Sequence, residues 1–309
     1  MSGLVTDAMM AEAVAAAGLS MQDAVAGPSA LASPSYQALE SRSVIAGGAF
    51  VKRIHPEMRD GFDLVAAMQC VVQAGQIGAG PAVLWSDAGM GAVAMQALQD
   101  GWITARQQDL QDAGVIAAAM TAMRKLHGGP ALPSRFDPFA QIDALVAAYA
   151  GEGAALPDDY LWLRRAIGMA EGLRDGGRLA PCRNDGSSSN LMIGPGGRVM
   201  LVDYDRAGMN DPLYDVGCLL AEMTDHERDM RAAFISYAGA FDEAGFARAR
   251  LWSHVDDMLH ALWARLMTHR SQRKSVEWIK YGEWRLLRLR MSLSHPHYEE
   301  KIRITRETA

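Results

Sequence analysis

The side chains that could do chemistry in this sequence are concentrated in residues 181–215. Asp185 precedes Asn190 by four intervening residues, and Asp203 follows a segment, 191–202, in which two short apolar runs flank a Gly-Pro-Gly-Gly turn. Such a segment is typical of a β-hairpin, whose closure could bring Asp203 back to the loop of Asp185 and Asn190. Two carboxylates and an amide offer oxygen ligands for Mg²⁺, and a carboxylate can also take a hydroxyl proton. The spacing therefore predicts a metal site beside a general base.

The same stretch resembles the choline/ethanolamine kinase branch of the aminoglycoside phosphotransferase superfamily. That branch reads like CHNDLxxxNxL, followed by IDxExAGxNDPxxDLA. The residues that fit this pattern are Cys182, Asn184, Asp185, Asn190, Asp203, Asp205, Gly208, Asn210, Asp211, Pro212 and Asp215. The first Asp-x-x-x-x-Asn is also the spacing of the protein-kinase catalytic loop, with Asp203 in the place of the D-F-G aspartate. Arg183 departs from the pattern, since the family has His there.

The resemblance implies an ATP- and Mg²⁺-dependent transfer of the γ-phosphoryl group to a hydroxyl of a small molecule. Asp185 would orient the acceptor hydroxyl and take its proton, while Asn190 and Asp203 would hold the metal. Asp205, two residues after Asp203, could contact the metal through water. Arg183 cannot accept hydrogen bonds as a His would. It could pair with Asp203 or Asp205 or reach the phosphate itself, so we count it with Asp185 as a candidate catalytic residue.

The residues expected to contact the nucleotide lie near the N-terminus. Residues 50–54 (FVKRI) resemble the family strand that carries a cationic phosphate ligand. Because side chains alternate along a strand, only one of Lys52 and Arg53 can enter the cleft. We favour Arg53, with Lys52 as the alternative. The resemblance also implies that adenine lies against a hinge segment that includes Met95 and Ala97.

Two further parts of a kinase nucleotide site depart from the family. No G-x-G-x-x-G is present, and the loop 32–35 (ASPS) occupies the corresponding place. The helix predicted over 61–75 lacks the acid that orients the cationic residue in active kinases. Asp63, Asp60 or Glu57 could substitute for it from the N-terminal end of that helix.

Two motifs near the C-terminus bear on the acceptor. HALW at 260–263 resembles the W-G-L-W of choline kinases, and EWIKY at 277–281 resembles their D-Y-x-x-Y. The resemblance implies that Trp263, Trp278 and Tyr281 enclose a quaternary ammonium through cation–π attraction. Helical spacing fits a role in the core equally well, and a histidine replaces the first expected ring. Choline/ethanolamine-like and aminoglycoside-like acceptors therefore both stay open, as do other small alcohols.

The elements that must position these residues fall into two lobes. The predicted helices cover 4–26, 61–75, 109–127, 139–151, 158–175, 216–224, 250–268 and 275–293, and the predicted strands cover 35–44, 49–54, 82–85 and 91–98. This order of strands and helices predicts an α+β protein, and the resemblance implies that its fold is bilobal and protein-kinase-like. Residues 1–98 would form a small, mostly antiparallel-sheet lobe that binds nucleotide. Residues 99–309 would form a larger, mainly helical lobe with the catalytic loop and the acceptor site.

Composition excludes several other classes of protein. Half of the 309 residues are apolar and 21% are charged, which is typical of a globular protein. The net charge of −6 argues against a nucleic-acid partner, and we interpret Arg285, Arg288 and Arg290 as a solvated helix face. Three scattered cysteines, with no signal-peptide pattern and no membrane-length apolar run, predict a cytoplasmic protein. A homodimer stays open.

Two hypotheses compete with that of a small-molecule kinase. The departure at Arg183, the missing Gly-rich loop and the missing helix acid would also suit a pseudokinase that binds a nucleotide or ligand with little catalysis. A purely structural helical protein would explain the composition. It would not explain why two carboxylates and an amide stand at the spacing of a kinase site, so we favour the enzyme.

Overall fold

The N-terminal part of the chain is built on an antiparallel sheet. In this computed structural model, which describes residues 3–30 and 38–307, five strands lie in the order β1-β2-β3-β5-β4. Their bounds are β1 Val25–Ala26, β2 Ser41–Ala46, β3 Ala49–Ile54, β4 Val83–Asp87 and β5 Ala92–Gln96. The predicted strands at 49–54, 82–85 and 91–98 each overlap an observed one. The loop 32–35 and the start of the predicted strand 35–44 lie outside the described residues.

The turn between β2 and β3 determines which side chains of β3 face the cleft. Gly47 and Gly48 have φ angles of 55° and 78°, the positive values that a two-residue hairpin turn requires and that glycine adopts without strain. Side chains alternate along the strand that follows. Val51 and Arg53 therefore point to one face of the sheet, and Lys52 points to the other.

Helix α1 covers the face of the sheet to which Val51 points. It spans Asp7–Ala16, and its Met10 packs with Val51 in a small apolar cluster. The helix predicted over 4–26 is therefore too long. Gly18 adopts a φ of 73° just after the observed helix ends, and the chain then extends into β1.

Helix α2 spans Leu64–Gln76, close to the predicted 61–75. Asp63 caps it, because one of its carboxylate oxygens accepts hydrogen bonds from the backbone N–H groups of Val65 and Ala66 (3.0 Å each). Met68 and Val71 of α2 are buried in the large core cluster that also contains residues of β5. The acid at the start of this helix is thus engaged in capping.

The C-terminal part is mainly helical. Its helices are α3 Ala113–His127, α4 Pro138–Glu152, α5 Tyr160–Gly168, α6 Pro212–Met223, α7 Glu227–Ala238, α8 Glu243–Arg270, α9 Trp278–Leu293 and α10 Pro296–Glu307. Two small antiparallel sheets lie among them, one of β6 Ile103–Thr104, β8 Leu191–Ile193 and β9 Val199–Leu201, the other of β7 Ala180–Cys182 and β10 Gly208–Asn210. The predicted α+β fold class, with an antiparallel sheet in the N-terminal part and a mainly helical C-terminal part, is confirmed. In the part of the chain that the structure describes, no helix has both the length and the apolar character needed to cross a bilayer.

Two of these helices were not predicted. Helix α7 begins at Glu227, within a segment interpreted as a solvated turn, and α10 lies beyond the last predicted helix. In α10 the buried residues are Tyr298, Lys301 and Ile302. Three buried residues at helical spacing are too few to predict a helix from the sequence. The packing of α10 on α8 stabilises this helix.

Two of the three arginines of α9 pack inward, whereas Arg290 stays partly exposed and pairs with Asp159 at 2.7 Å. Arg285 Nη1 lies 3.0 Å from Asp256 Oδ2 and 2.8 Å from Asp257 Oδ1, and Arg288 binds Asp257 as well. Both aspartates lie in α8 and are almost fully buried. The interpretation of Arg285 and Arg288 as a solvated face was therefore wrong. Their partners are on another helix, and spacing within α9 carries no information about that helix.

We expect the folded protein to lose stability in acid because of His55, the residue directly after β3. Its Nδ1 accepts a hydrogen bond from Val5 N (3.0 Å), and burial, reinforced by Arg273, lowers the pKa of His55 to about 4 from an ordinary 6.5. The unfolded chain therefore binds the proton more readily, and stability falls as pH drops from 6.5 through 4, by up to about 3 kcal/mol. Urea unfolding of His55→Asn, whose amide oxygen can accept the same bond, should show a flatter pH dependence. Part of the dependence should remain, because burial also lowers the pKa of His254.

Candidate active site

The candidate active site begins where β7 ends. The backbone N–H groups of Arg183 and Asn184 donate to the two carboxylate oxygens of Asp215 in α6, at 2.9 and 2.7 Å. His127, at the end of α3, contacts the same carboxylate through Nε2 at 3.1 Å. Asn184 has a φ of 57°, so the chain turns sharply there. The buried Asp215 therefore fixes the start of the loop.

Two polar side chains of this loop bind each other. Asn190 Nδ2 donates to Asp185 Oδ2 at 3.0 Å, and the backbone N–H of Ser187 donates to Asp185 Oδ1 at 2.6 Å. These two bonds orient the carboxylate. Asp185 is also partly exposed. It can therefore meet a hydroxyl group that enters from the cleft.

The hairpin of β8 and β9 returns the chain to this loop. Leu191 pairs with Leu201, and Val202 N donates to Asn190 O at 3.0 Å. Asp203 follows directly, with a φ of 64°. This left-handed conformation is unfavourable for a residue other than glycine, and such strain is concentrated at functional sites. Asp203 is thus the residue next to Val202, whose backbone N–H binds the carbonyl of Asn190.

Arg183 joins the loop to the hairpin. Its Nη1 donates to Asn190 O and Val202 O at 2.8 Å each, and its Nη2 donates to Asp185 O at 2.6 Å. All three acceptors are backbone carbonyls, and the Arg183 side chain is completely buried. The expected pairing with a metal-binding aspartate or a phosphate was therefore wrong. Arg183 is a positioning residue, which holds the loop of Asp185 and Asn190 against the end of the hairpin that precedes Asp203.

Lys52 reaches from β3 to the end of the hairpin. Its Nζ lies 2.7 Å from Asp203 Oδ1 and 2.8 Å from Asp205 Oδ2. Burial disfavours the charged amine, but the two carboxylates outweigh burial and raise the pKa of Lys52. Lys52 therefore stays protonated in the cleft, where a cation can bind phosphate oxygens.

Arg53 does not enter the cleft. Its Nη1 contacts Glu12 Oε2 at 2.8 Å and the carbonyl of Met9, both in α1. The preference for Arg53 over Lys52 was therefore wrong. The two-glycine turn and the packing of α1 decide which face of β3 is turned to the cleft, and neither can be read from the strand itself.

Asp203, Asp205 and Asn190 offer the oxygen atoms that Mg²⁺ prefers. Burial and the charge of Asp203 raise the pKa of Asp205 to about 7, whereas Lys52 outweighs burial and lowers the pKa of Asp203. Asp205 Oδ2 is buried and lies 2.8 Å from Lys52 Nζ, so the carboxylates of Asp203 and Asp205 share one ammonium group. When both carboxylates are ionised, one negative charge is left, which is costly in a largely buried cleft unless a further cation neutralises it. The donor set therefore fits a divalent metal ion.

A cavity between the sheet and the loop is lined by the predicted nucleotide contacts other than Arg53. Lys52, Met95, Ala97, Asn190 and the aspartates 203 and 205 all line it. Ala97 N donates to the carbonyl of Gly48 at 3.1 Å, so this backbone N–H already has a partner within the chain. Arg53 is absent from the lining, in agreement with its contacts in α1.

The acid expected to orient the cleft cation is not supplied by the start of α2. Asp63 caps that helix, Glu57 Oε1 binds Arg273 Nε at 2.7 Å, and Asp60 is exposed to solvent. Lys52 is instead oriented directly by Asp203 and Asp205. The missing acid in α2 is therefore no argument against nucleotide binding, because the cleft cation has other acidic partners.

Two charged residues near Asp185 were not predicted as site residues. Arg206 Nη2 lies 3.4 Å from Glu40 Oε1. Burial raises the pKa of Glu40, and the charge of Asp185 contributes to the same effect. Burial opposes the charge of Arg206, but nearby acids, Glu40 first, outweigh it and raise the pKa of Arg206. Glu40 belongs to no motif, and Arg206 stands at a position that the family pattern leaves open.

The rings predicted for the acceptor site form one cluster between α8 and α9. The centroid of Trp263 lies 5.5 Å from that of Trp278 and 6.3 Å from that of Tyr281. Trp278 is 3% exposed and is covered by Arg273, whose guanidinium carbon lies 4.9 Å from the ring centroid. Trp278 is thus a core residue and not an available ring, contrary to expectation. Trp263 and Tyr281 remain partly exposed.

The family follows from a match over most of the chain. The model of the phosphotransferase enzyme family matches residues 36–266. The chain belongs to this family. The match spans both the sheet with Lys52 and the loop with Asp185, so the prediction of a phosphotransferase is confirmed at the level of the family. No match to the chain was found among curated proteins.

Solved structures of other phosphotransferases share the fold. A choline/ethanolamine kinase family protein from Mesorhizobium loti is 24% identical, with 87% of this chain and 90% of that chain covered and a TM-score of 0.77. The choline kinase LicA from Streptococcus pneumoniae, solved with AMP, is 17% identical, with 94% and 98% covered and a TM-score of 0.74. Aminoglycoside 2′-phosphotransferase-IIIa, solved with GDP, is 16% identical, with 82% and 90% covered and a TM-score of 0.59. The predicted branch of the superfamily therefore agrees with these folds.

Proposed function

We propose that this phosphotransferase moves the γ-phosphoryl group of ATP, bound with Mg²⁺, to a hydroxyl of a small molecule. The observation that carries the proposal is the connected set of bonds around Asn190. Its side chain binds Asp185, its carbonyl binds Val202 next to Asp203, and Lys52 faces Asp203 from the sheet. The candidate base thus binds Asn190, which lines the same cavity as the candidate metal-binding carboxylates and the phosphate-binding cation.

Each residue has a role that follows from its contacts. Lys52 would bind phosphate oxygens of the nucleotide, which can replace the carboxylates as partners of its amine. Asn190, Asp203 and Asp205 would hold the metal, which when bound neutralises charge on the phosphate oxygens. Asp185 would orient the acceptor hydroxyl and accept its proton late in the transfer, because phosphoryl transfer depends mainly on positioning and electrostatics.

The lobes, the acceptor and the location belong to the same proposal. Residues 1–98 would be the nucleotide-binding lobe and 99–309 the catalytic lobe, since the five-stranded sheet ends at Gln96 while β6 pairs with the hairpin. The relatives named above make choline/ethanolamine-like and aminoglycoside-like alcohols the first acceptors to test. A cytoplasmic location suits the three buried cysteines, which are free thiols.

The pseudokinase hypothesis loses two of its three supports. Arg183 keeps the catalytic loop and the hairpin together, and Lys52 has acidic partners without a helix glutamate. The third support, the missing Gly-rich loop, falls on residues outside the described structure. We therefore propose catalysis rather than binding alone.

A thermal-shift titration with Mg-ATP tests the nucleotide site and compares Lys52 with Arg53. Wild type should be stabilised by Mg-ATP, and Lys52→Met should weaken its apparent affinity by about tenfold or more, through loss of one charge-assisted phosphate contact. Arg53→Met should bind Mg-ATP as wild type does, because its partners are in α1. Equal effects of the two substitutions would refute the assignment of Lys52. A wild type that does not respond to Mg-ATP would refute the proposed function.

A further inference from the structure

Arg206 occupies the aromatic surface that faces the acceptor side of the site. Its guanidinium carbon lies 5.0 Å from the ring centroid of Trp263 and 5.2 Å from that of Phe62. The Arg206 side chain is only 7% exposed, so it is held between these rings rather than extended into solvent. The ring of Trp263 that could attract an ammonium group already contacts a cation of the chain itself.

The position of Arg206 links this surface to the catalytic loop. Arg206 follows Asp205 directly, and its backbone carbonyl accepts a hydrogen bond from Asn184 Nδ2 at 2.9 Å. Asn184 in turn precedes Asp185. The ring of Tyr281 lies 6.3 Å from that of Trp263, so Tyr281 borders the same surface as Arg206. Because Asn184 joins the backbone of Arg206 to the loop of Asp185, an acceptor whose hydroxyl lies at Asp185 would have this surface beside it.

The hydrogen-bonding capacity of Arg206 is mostly unused by the described residues. A guanidinium has five N–H donors, and the described acceptor is Glu40 Oε1 at 3.4 Å, longer than a strong charge-assisted bond. Contacts with Trp263 and Phe62 supply no acceptor oxygen. The planar fork of an arginine matches carboxylate and phosphate groups. Within residues 3–30 and 38–307, Arg206 thus keeps donors that no described acceptor engages, and its backbone is bonded to the residue that precedes Asp185.

We propose that Arg206 selects the acceptor: it excludes a quaternary ammonium from the rings and binds an anionic group, a carboxylate or phosphate, of the hydroxyl compound that is phosphorylated. This inference rests on the proposed function and narrows its acceptor class. A trimethylammonium group would have to displace the guanidinium from Trp263 and would be repelled by it. A carboxylate or phosphate would instead compete with Glu40 for the donors of Arg206.

Matched acceptors of different charge test the inference. ADP release with saturating Mg-ATP would be measured for choline, for its uncharged tert-butyl isostere, for glycerate and for glycerol phosphate. Wild type should use glycerate or glycerol phosphate with a kcat/KM about tenfold or more above that for choline. Arg206→Met should reverse this order, whereas Arg206→Lys, which retains the charge, should keep it. Arg198→Met is the matched control, because Arg198 also lies over a tryptophan, Trp102, at 5.3 Å, but on the exposed hairpin turn.

The outcomes separate this inference from the proposed function. A wild type that prefers choline or the uncharged isostere overturns the inference and leaves the kinase assignment intact. If no acceptor is phosphorylated, thermal shifts with the same four compounds and a non-hydrolysable ATP analogue replace the rates. Arg206→Met must then gain stabilisation by choline and lose it with the anionic compounds. The inference is overturned if the ratio of the thermal shift with choline to that with the anionic compounds is the same in Arg206→Met as in wild type. It is also overturned if Arg206→Met does not bind choline.

Discussion

Replacing Asp185 with asparagine should reduce kcat by about 10²–10⁴-fold, the range expected for loss of a general base. The substitution preserves the shape of the side chain, and its oxygen can still accept the hydrogen bond from Ser187 N. It removes the ability to take the acceptor's proton. It also removes one acceptor from Asn190 Nδ2, so part of the loss would come from positioning.

The measurement for Asp185→Asn is the rate of ADP formation, together with the affinity for Mg-ATP from thermal shifts. Affinity for Mg-ATP should change little, because Lys52 and Asp203 are retained. Asp229→Asn, an exposed aspartate on α7, makes the same chemical change away from the site and should keep wild-type kcat. A loss below tenfold in Asp185→Asn would contradict the role of general base.

Replacing Arg183 with methionine should cost about 3 kcal/mol or more of unfolding free energy. Three backbone carbonyls would lose a charged donor in a completely buried environment, and an unsatisfied buried acceptor costs about 1–3 kcal/mol. Asn190 O would keep its bond from Val202 N, which limits the total. Activity should fall together with stability, because Arg183 holds the loop of Asp185 against the hairpin.

Urea unfolding measures this cost, with two variants for comparison. Arg183→His introduces the residue that the family pattern has at this position, and it should be less destabilising than Arg183→Met because an imidazole can donate one of the lost bonds. Arg198→Met, on the exposed hairpin turn, should change stability by no more than about 0.5 kcal/mol. If Arg183→Met unfolds at the same urea concentration as wild type, the bracing role is excluded.

The catalytic loop shows why part of the site could be predicted. Asp185, Asn190 and Asp203 lie within 19 residues of sequence, counting both ends. The hairpin between Asn190 and Asp203 has a turn of Gly and Pro residues, which the sequence shows directly. Local signals of this kind depend on neighbouring residues only. The side chains that join the site from afar, such as Glu40, are brought there by packing and had no signal in the sequence.

Charged residues on regular elements were the least predictable. Lys52 and Arg53 are adjacent and equally basic, and only the contacts with α1 and the cleft separate them. Arg285 and Arg288 have a spacing typical of a solvated face, yet they neutralise two buried aspartates of α8. An arginine can be hydrated at the surface or can pair with an acid that is distant in the sequence, and residue spacing does not distinguish these two cases.

From the sequence alone, periodicity and turn residues predicted the α+β fold class, the motif resemblance predicted the phosphotransferase family, and short-range spacing predicted that Asp185, Asn190 and Asp203 belong to one site. Only the tertiary structure decided that Lys52 faces the cleft, that Arg183 braces backbone carbonyls, that Trp278 is buried and that Arg206 lies against Trp263. These outcomes depend on which surfaces pack together. A buried charge takes whichever partner the fold brings within a few ångströms.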